Sequence, residues 1–406
     1  MRPTRRDLLR GAALGGLVGA TGSLRGFAQD EPPSFDPRVV RSTVARFRSE
    51  ASTDDRSLRL AIVYFHWFAV QGGQQIGQLP GPALPADEHI QGPNERRRIR
   101  PGMLAWSGTP LQHRRHDLAL IAAGFDTIVF QIPQGYVRTQ RNHLGALRQL
   151  QREGVAIPKL VPFVEAASYP QYYRERSFHD PLQRENLFQK FANYFDRHFR
   201  DLGPENLVWK DGRVFVHLWW IPGIDRAPGY LLDELSDRCQ ARYGFRLFVS
   251  GHEYLAHLRP DRIDRLFNGV QSWRRDRHGD YSLMPGFFPP SIDAVRQGYF
   301  VERRFGATYQ DAWDAISDEI AERPTRTEWI VVESANEIGE CTSILPLVEV
   351  PQRRLTDLRI GGECTSRACI PPGAEHLPVE LGDDPMFYLN ATADSWRRLR
   401  ERLGIV

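Results

Sequence analysis

Two carboxylates three residues apart, Glu337 and Glu340, follow closely on the apolar run Trp329–Glu333, with Asn336 before them and Gly339 between. A glycine at that point permits a turn that faces both carboxyls into one cavity. Like charges held close in a partly dry site split their proton affinities, leaving one ionised base and one protonated acid. Cleavage of a glycosidic bond needs such a pair. Further candidates stand where other apolar runs end: His66 and Trp67, Gln131, Glu165 and Tyr169, Trp219 and Trp220, His252 and Glu253, and Trp273. Tryptophan faces stack on the C–H faces of sugars, while carboxylates, amides and imidazoles bond to hydroxyls. The expected site therefore has Glu337 and Glu340 as catalytic groups. Its substrate contacts are His66, Trp67, Gln131, Glu165, Tyr169, Trp219, His252, Glu253, Trp273 and Asn336. Trp219 and Trp220 are strand neighbours and point to opposite faces, so at most one reaches the cavity.

These residues need a frame that brings many strand ends to one place. The apolar runs are Leu58–Phe68, Phe125–Pro133, Lys159–Glu165, Val214–Trp220, Phe245–Ser250, Gly269–Trp273, Tyr281–Phe287 and Trp329–Glu333. Continuous apolar character indicates strands covered on both faces, hence parallel ones. Amphipathic stretches intervene at Arg114–Ala123, Leu144–Glu153, Pro181–Phe199, Ala227–Tyr243, Pro260–Leu266 and Thr308–Ala321, with a last helix at Ala391–Leu403. Eight strands alternating with helices predict an α/β fold, a (β/α)8 barrel over residues 58–406, whose chemistry sits at the C-terminal strand ends. A doubly wound sheet would want a glycine-rich phosphate loop after an early strand, and none is present. Residues 69–113 after the first strand and 347–386 after the eighth read as long loops, the first carrying the run Arg96-Arg97-Arg98, expected as a solvated loop.

Composition narrows the function classes. The chain of 406 residues is 41% hydrophobic and 25% charged, ordinary for a globular protein. Its net charge of +3 comes from the first 28 residues, which carry five Arg and one Asp and leave the remainder near −1. A nearly neutral body excludes a dedicated nucleic-acid binder.

Residues 1–28 run from Arg5-Arg6 through a glycine-rich apolar stretch to Gly26-Phe27-Ala28, the order of a twin-arginine export signal. The apolar stretch of about 14 residues is short of the roughly 20 that span a bilayer. The expectation is a periplasmic or secreted protein, handled by the twin-arginine translocation machinery and without stable membrane insertion of the mature chain. Residues 29–57 read as a linker with one short helix. Of four cysteines, Cys364 and Cys369 are near enough in sequence to pair after export. No zinc spacing or cofactor motif is present, and no metal or cofactor is expected.

The segment Ser334–Pro346 resembles the closing "S-W-N-E-W-x-E-G-T-x-I-E-P" signature of glycoside hydrolase family 99 and relatives such as family 71, matching at Ser334, Asn336, Glu337, Glu340, Thr342, Ile344 and Pro346. Tyr64-Phe65-His66-Trp67-Phe68 is similar to the family's first-strand "Y-Y-x-W-Y". His116 to Phe130 is similar to "H…A…G-x-D-x-x-x-F", and Glu165 to Tyr169 to "E-P-Y". Asn193 to Phe215 is similar to the segment leading into the fourth strand. The resemblance implies a barrel glycosidase. In it Glu337 would act as base toward a sugar 2-hydroxyl, giving a 1,2-anhydro intermediate, and Glu340 as general acid/base on the leaving oxygen. Glu165 would bind substrate. The motif's two Trp are Ala335 and Ile338 here, its Gly is Cys341 and its last Glu is Leu345. Substrate preference therefore does not carry over.

Two rival classes stay open on the sequence. One is a non-catalytic carbohydrate-binding barrel that positions a glycan for a partner enzyme. The other is a metal-dependent hydrolase using His66, Glu165 and His252. Glu333 reads as a barrel-interior residue paired with Arg303 or Arg304.

Overall fold

Strands β1 (Arg59–Tyr64), β6 (Thr127–Gln131), β7 (Lys159–Val164), β9 (Arg213–Leu218), β10 (Leu247–His252) and β14 (Trp329–Val332) are buried almost throughout. Both faces are covered, one by the strands opposite and one by helices, as their unbroken apolar runs require. The computed structural model describes residues 36–50, 58–66, 69–71, 74–76, 89–92, 95–98, 110–132, 137–165, 177–219, 221, 223–264, 271–287, 301, 306–323, 327–336, 344–345 and 387–405. With β11 (Arg262–Asp264), β12 (Trp273–Arg275) and β13 (Tyr281–Leu283), the main sheet runs β11-β10-β9-β7-β6-β1-β14-β13-β12. Seven successive pairings from β11 to β13 are parallel, and β12 pairs antiparallel with β13. A two-residue strand, β8 (Trp209–Lys210), pairs antiparallel with β9.

Eight parallel strands in chain order, with helices between them, make the (β/α)8 barrel. The helices are α1 (Pro37–Glu50), α2 (Pro110–Ala122), α3 (Val137–Arg152), α4 (Pro181–Asp201), α5 (Leu231–Tyr243), α6 (Ala307–Glu322) and α7 (Phe387–Leu403). Helix α4 starts on Asp180, whose carboxylate accepts the Leu182 N–H, with Pro181 in the first turn. The turn from α2 to β6 passes through Gly124 at φ 93°, and a Cβ there would lie 2.5 Å from the Trp396 ring. The close approach seats α7 over that turn. Among the described residues, no helix is long and apolar enough to cross a membrane.

The sixth strand corrects the sequence expectation. It is β11 at Arg262–Asp264, inside the stretch Pro260–Leu266 that reads as a helix, and not Gly269–Trp273. Three residues are too few to show a period. Pairing with β10, Ser250 opposite Arg262 and His252 opposite Asp264, decides the conformation instead. Trp273 consequently opens the antiparallel strand β12 and ends no parallel strand. The stretch after β1 also holds more structure than a loop. Strands β2 (Ala69–Gln71) and β3 (Gln74–Ile76) form one hairpin, and β4 (His89–Gly92) and β5 (Glu95–Arg98) another, so Arg96-Arg97-Arg98 is strand.

Where the two ends of the sheet meet, side chains take over from the ladder. Arg262 of β11 pairs with Asp280, which precedes β13, and with Asp276 at 3.1 Å. Asp280 also accepts the backbone N–H groups of Glu328 and Trp329, at 2.7 and 2.8 Å, which ties this junction to the start of β14. All three charged side chains are at most 10% exposed. Arg262→Ala would leave two buried carboxylates without their cation. The expected loss is about 3–5 kcal/mol of stability, read from the urea midpoint. A loss below about 1 kcal/mol would mean that this ion pair does not close the barrel.

Candidate active site at the strand ends

The C-terminal ends of four adjacent strands are stitched together by side chains. Beyond β14, Asn336 accepts the Phe65 N–H at 2.8 Å and donates to the Phe65 carbonyl at 2.7 Å. Beyond β1, the His66 N–H donates to Gln131 Oε1 at 2.7 Å. From the end of β6, Gln131 Nε2 donates to Glu165 Oε1 at 2.8 Å, just beyond β7. The order Asn336, Phe65–His66, Gln131, Glu165 is thus a continuous belt across β14, β1, β6 and β7, fully buried but for traces of exposure. The amide side chain of Gln131 thereby orients the Glu165 carboxylate at the end of the belt.

The segment that carries the two candidate catalytic carboxylates leaves from this belt and comes back to it. Ala335 N donates to Val63 O at 2.8 Å, Ile344 N to Ser334 O at 3.1 Å and Leu345 N to Ala335 O at 3.0 Å. The residues on either side of 337–343 are therefore held beside the β14 terminus. Glu337 and Glu340 themselves lie outside the described residues, as do Trp67, Tyr169 and Trp220. Arg303, Arg304, Cys364, Cys369 and residues 1–28 lie outside them too. The Glu333–Ser334 peptide is cis. Glu333 is buried.

Of the remaining candidates, Trp219 is half-buried against the core, with its backbone N–H on Val164 O at 2.9 Å. His252 is buried and its ring stacks on Tyr254 at 4.4 Å, while Glu253 is exposed. Trp273 is half-buried near Tyr281, with ring centroids 6.1 Å apart. The structure thus brings His66, Gln131, Glu165 and Asn336 into one belt and leaves Trp273 in the β12 hairpin. Both amide groups of Asn336 are engaged by Phe65, a bracing geometry. Asn336→Ala would strip two bonds from buried backbone groups. The expected loss is about 2–4 kcal/mol, read from the same urea midpoint. An unchanged midpoint would remove Asn336 from the belt.

His66 has both ring nitrogens engaged inside the protein. Its Nδ1 lies 2.8 Å from the Gln131 carbonyl and its Nε2 2.9 Å from His143 Nδ1 on α3. His143 Nε2 in turn lies 2.7 Å from Asp117 Oδ1 on α2. Tyr64 OH lies 3.0 Å from His113 Nδ1 and 3.3 Å from His116 Nδ1. The His113 and His143 rings stack at 4.5 Å, 7° apart. Burial pushes His116 and His143 down to about 3 and lowers His66 and His113. Burial raises Asp117 and Tyr64 well above their ordinary values. Sequence reasoning missed Asp117 and His143. The signal was present as His113-x-x-His116-Asp117, a polar one-turn spacing on a helix flank that faces strands.

A separate cavity of about 40 Å³, room for a few waters, lies inside the barrel among mid-strand and early-strand residues, including Val129, Phe215, His217, Ser250, Arg262 and Trp329. None of the belt residues lines it. Among the described residues, no group of three His, Cys, Asp or Glu has the arrangement of a metal site.

No protein-family model matches the chain, and no curated protein matches it significantly. Solved structures do. The GH99 endo-alpha-mannosidase from Bacteroides thetaiotaomicron in complex with bis-tris-propane aligns at a TM-score of 0.52 and 14% identity, over 86% of this chain and 99% of that one. A second structure of that enzyme aligns at 0.51 with the same identity and coverage. The barrel of this chain is therefore similar in fold to these two structures, and at this identity the likeness is one of fold alone.

Proposed function

We propose that this chain is an exported glycoside hydrolase, with Glu337 as base and Glu340 as general acid/base. The observation that carries the proposal is the belt. Asn336, next to Glu337 in the chain, is bonded through both ends of its amide to the β1 terminus, and the same belt ends on the Glu165 carboxylate. A carboxylate-bearing segment anchored beside a third carboxylate at barrel strand ends suits acid/base cleavage of a glycoside. The shared fold with an endo-alpha-mannosidase supports the same class. In this reading Glu337 takes the proton of a sugar 2-hydroxyl as that oxygen closes on the anomeric carbon. Glu340 protonates the departing oxygen and then activates the water that opens the ring. Glu165 holds a hydroxyl, with Trp219 and His252 at neighbouring strand ends. The arginine pair and the apolar stretch of residues 1–28 support twin-arginine export.

The test is turnover by the full chain on a panel of polysaccharides that includes an α-mannan, followed as release of reducing ends. Hydrolysis of one member is the expected result. Binding without hydrolysis would replace the proposal with the non-catalytic carbohydrate-binding barrel, and neither binding nor hydrolysis would end the carbohydrate reading.

A further inference from the structure

Behind the belt, a row of buried groups reaches from the helix layer to the strand ends: Asp117 on α2, His143 on α3, His66 after β1 and Gln131 at the end of β6. The contacts are 2.7, 2.9 and 2.8 Å. Their proton positions follow from chemistry. The Gln131 carbonyl can only accept, so His66 Nδ1 carries a proton. A neutral His66 then offers a lone pair at Nε2, so His143 Nδ1 must donate to it. A neutral His143 offers its own lone pair at Nε2, so the 2.7 Å contact with Asp117 needs a proton from the acid. Asp117 Oδ2 has no hydrogen-bond partner among the described residues, and the side chain is fully buried. An ionised carboxylate there would leave charge in a dry site with one oxygen unsolvated, which costs far more than a neutral carbonyl oxygen left alone.

We propose that Asp117, His143 and His66 form a neutral, one-way donor chain that acts as a positioning device for Gln131 and, through it, Glu165. Each member donates to the next: acid O–H to His143, His143 to His66, His66 to the Gln131 carbonyl. The chain locks His66 in one tautomer. The same residue's backbone N–H holds Gln131 Oε1, which leaves Gln131 Nε2 aimed at Glu165. Asp117 and His143 are positioning residues that touch no ligand. The titratable groups around the row are Tyr64 on β1, His113 and His116 on α2, and Glu165 beyond β7. Burial lowers the histidines and raises Asp117, the directions an uncharged row needs. The value of the device to ligand contact rests on the reading of Glu165 given above. The chain itself does not.

Long-range ¹H–¹⁵N spectra of the imidazoles in the full protein at neutral pH test it without substrate. His66 and His143 should both appear as neutral Nδ1–H tautomers. An imidazolium at His143, or an Nε2–H tautomer at either ring, would overturn the proposal. Asp117→Asn can donate to His143 from its amide as the acid does. It should leave the His143 signals neutral and exchange of the Gln131 side-chain amide within about twofold of wild type. Asp117→Ala should free the row and speed that exchange by about tenfold or more. A His143 that turns from charged to neutral in Asp117→Asn would overturn the chain even if Asp117→Ala failed to fold. Failure of glycan turnover would leave these spectra unchanged, so the two readings fail separately.

Discussion

Glu340→Gln is expected to lower glycan turnover by about 10²–10⁴-fold while the protein stays folded, because the glutamine cannot protonate the departing oxygen. The defect should depend on the leaving group. An aryl glycoside expels a phenolate that needs little protonation, so the same variant should lose far less on it. Glu337→Gln should lose activity on both substrates, since the 2-hydroxyl still needs its base. Glu165→Gln should act mainly on KM, as loss of a hydroxyl contact that ground state and transition state share. Full activity in both Glu337→Gln and Glu340→Gln would remove the acid/base assignment. A leaving-group dependence in Glu337→Gln instead of Glu340→Gln would exchange the two roles.

Acid should unfold this protein early. His66, His113, His143 and His198 are fully buried and His116 is 8% exposed. Burial holds all five in the neutral form, with His116 and His143 at about 3 and His198 at about 4, against 6.5 for a free imidazole. The unfolded chain binds protons first as pH falls. The stability held by these neutral rings is therefore fully present above pH 6.5 and drains away below it. His116, His143 and His198 each cost about 1.4 kcal/mol per pH unit, or about 2 kcal/mol at pH 5, and His66 and His113 add to the loss in the same direction. Asp117 works in the other direction. Its raised affinity keeps a proton that the unfolded chain releases above about 3.8, so its own contribution grows as pH falls and opposes part of the histidine loss. The net loss approaches the 5–15 kcal/mol that holds a typical domain. The urea midpoint should fall steeply between pH 7 and 5, with unfolding between about pH 4 and 6. A midpoint that is flat across that window would show that the histidines do not stay neutral in the folded chain.

The alternation of apolar runs and amphipathic stretches was enough to place most strands and helices, because covered parallel strands are apolar on both faces. The positions of β1, β6, β7, β9, β10 and β14 were legible for that reason. The sixth strand was not. Arg262-Ile263-Asp264 is short and mostly charged, and pairing with β10 together with the ion pairs to Asp276 and Asp280 makes it a strand. Local pattern cannot report a side chain whose partner is contributed by another strand.

The site divides in the same way. Residue types and spacing alone marked Asn336, Glu337 and Glu340, the strand-end residues Gln131 and Glu165, and the export-like first 28 residues. Tertiary structure alone decided that Asn336 braces Phe65, that His66 turns toward α2 and α3, and that Asp117 and His143 stand behind it. A polar residue on an amphipathic helix reads as solvated until packing buries it. Burial then makes its hydrogen-bond partners obligatory, and the barrel's closure chooses which they are.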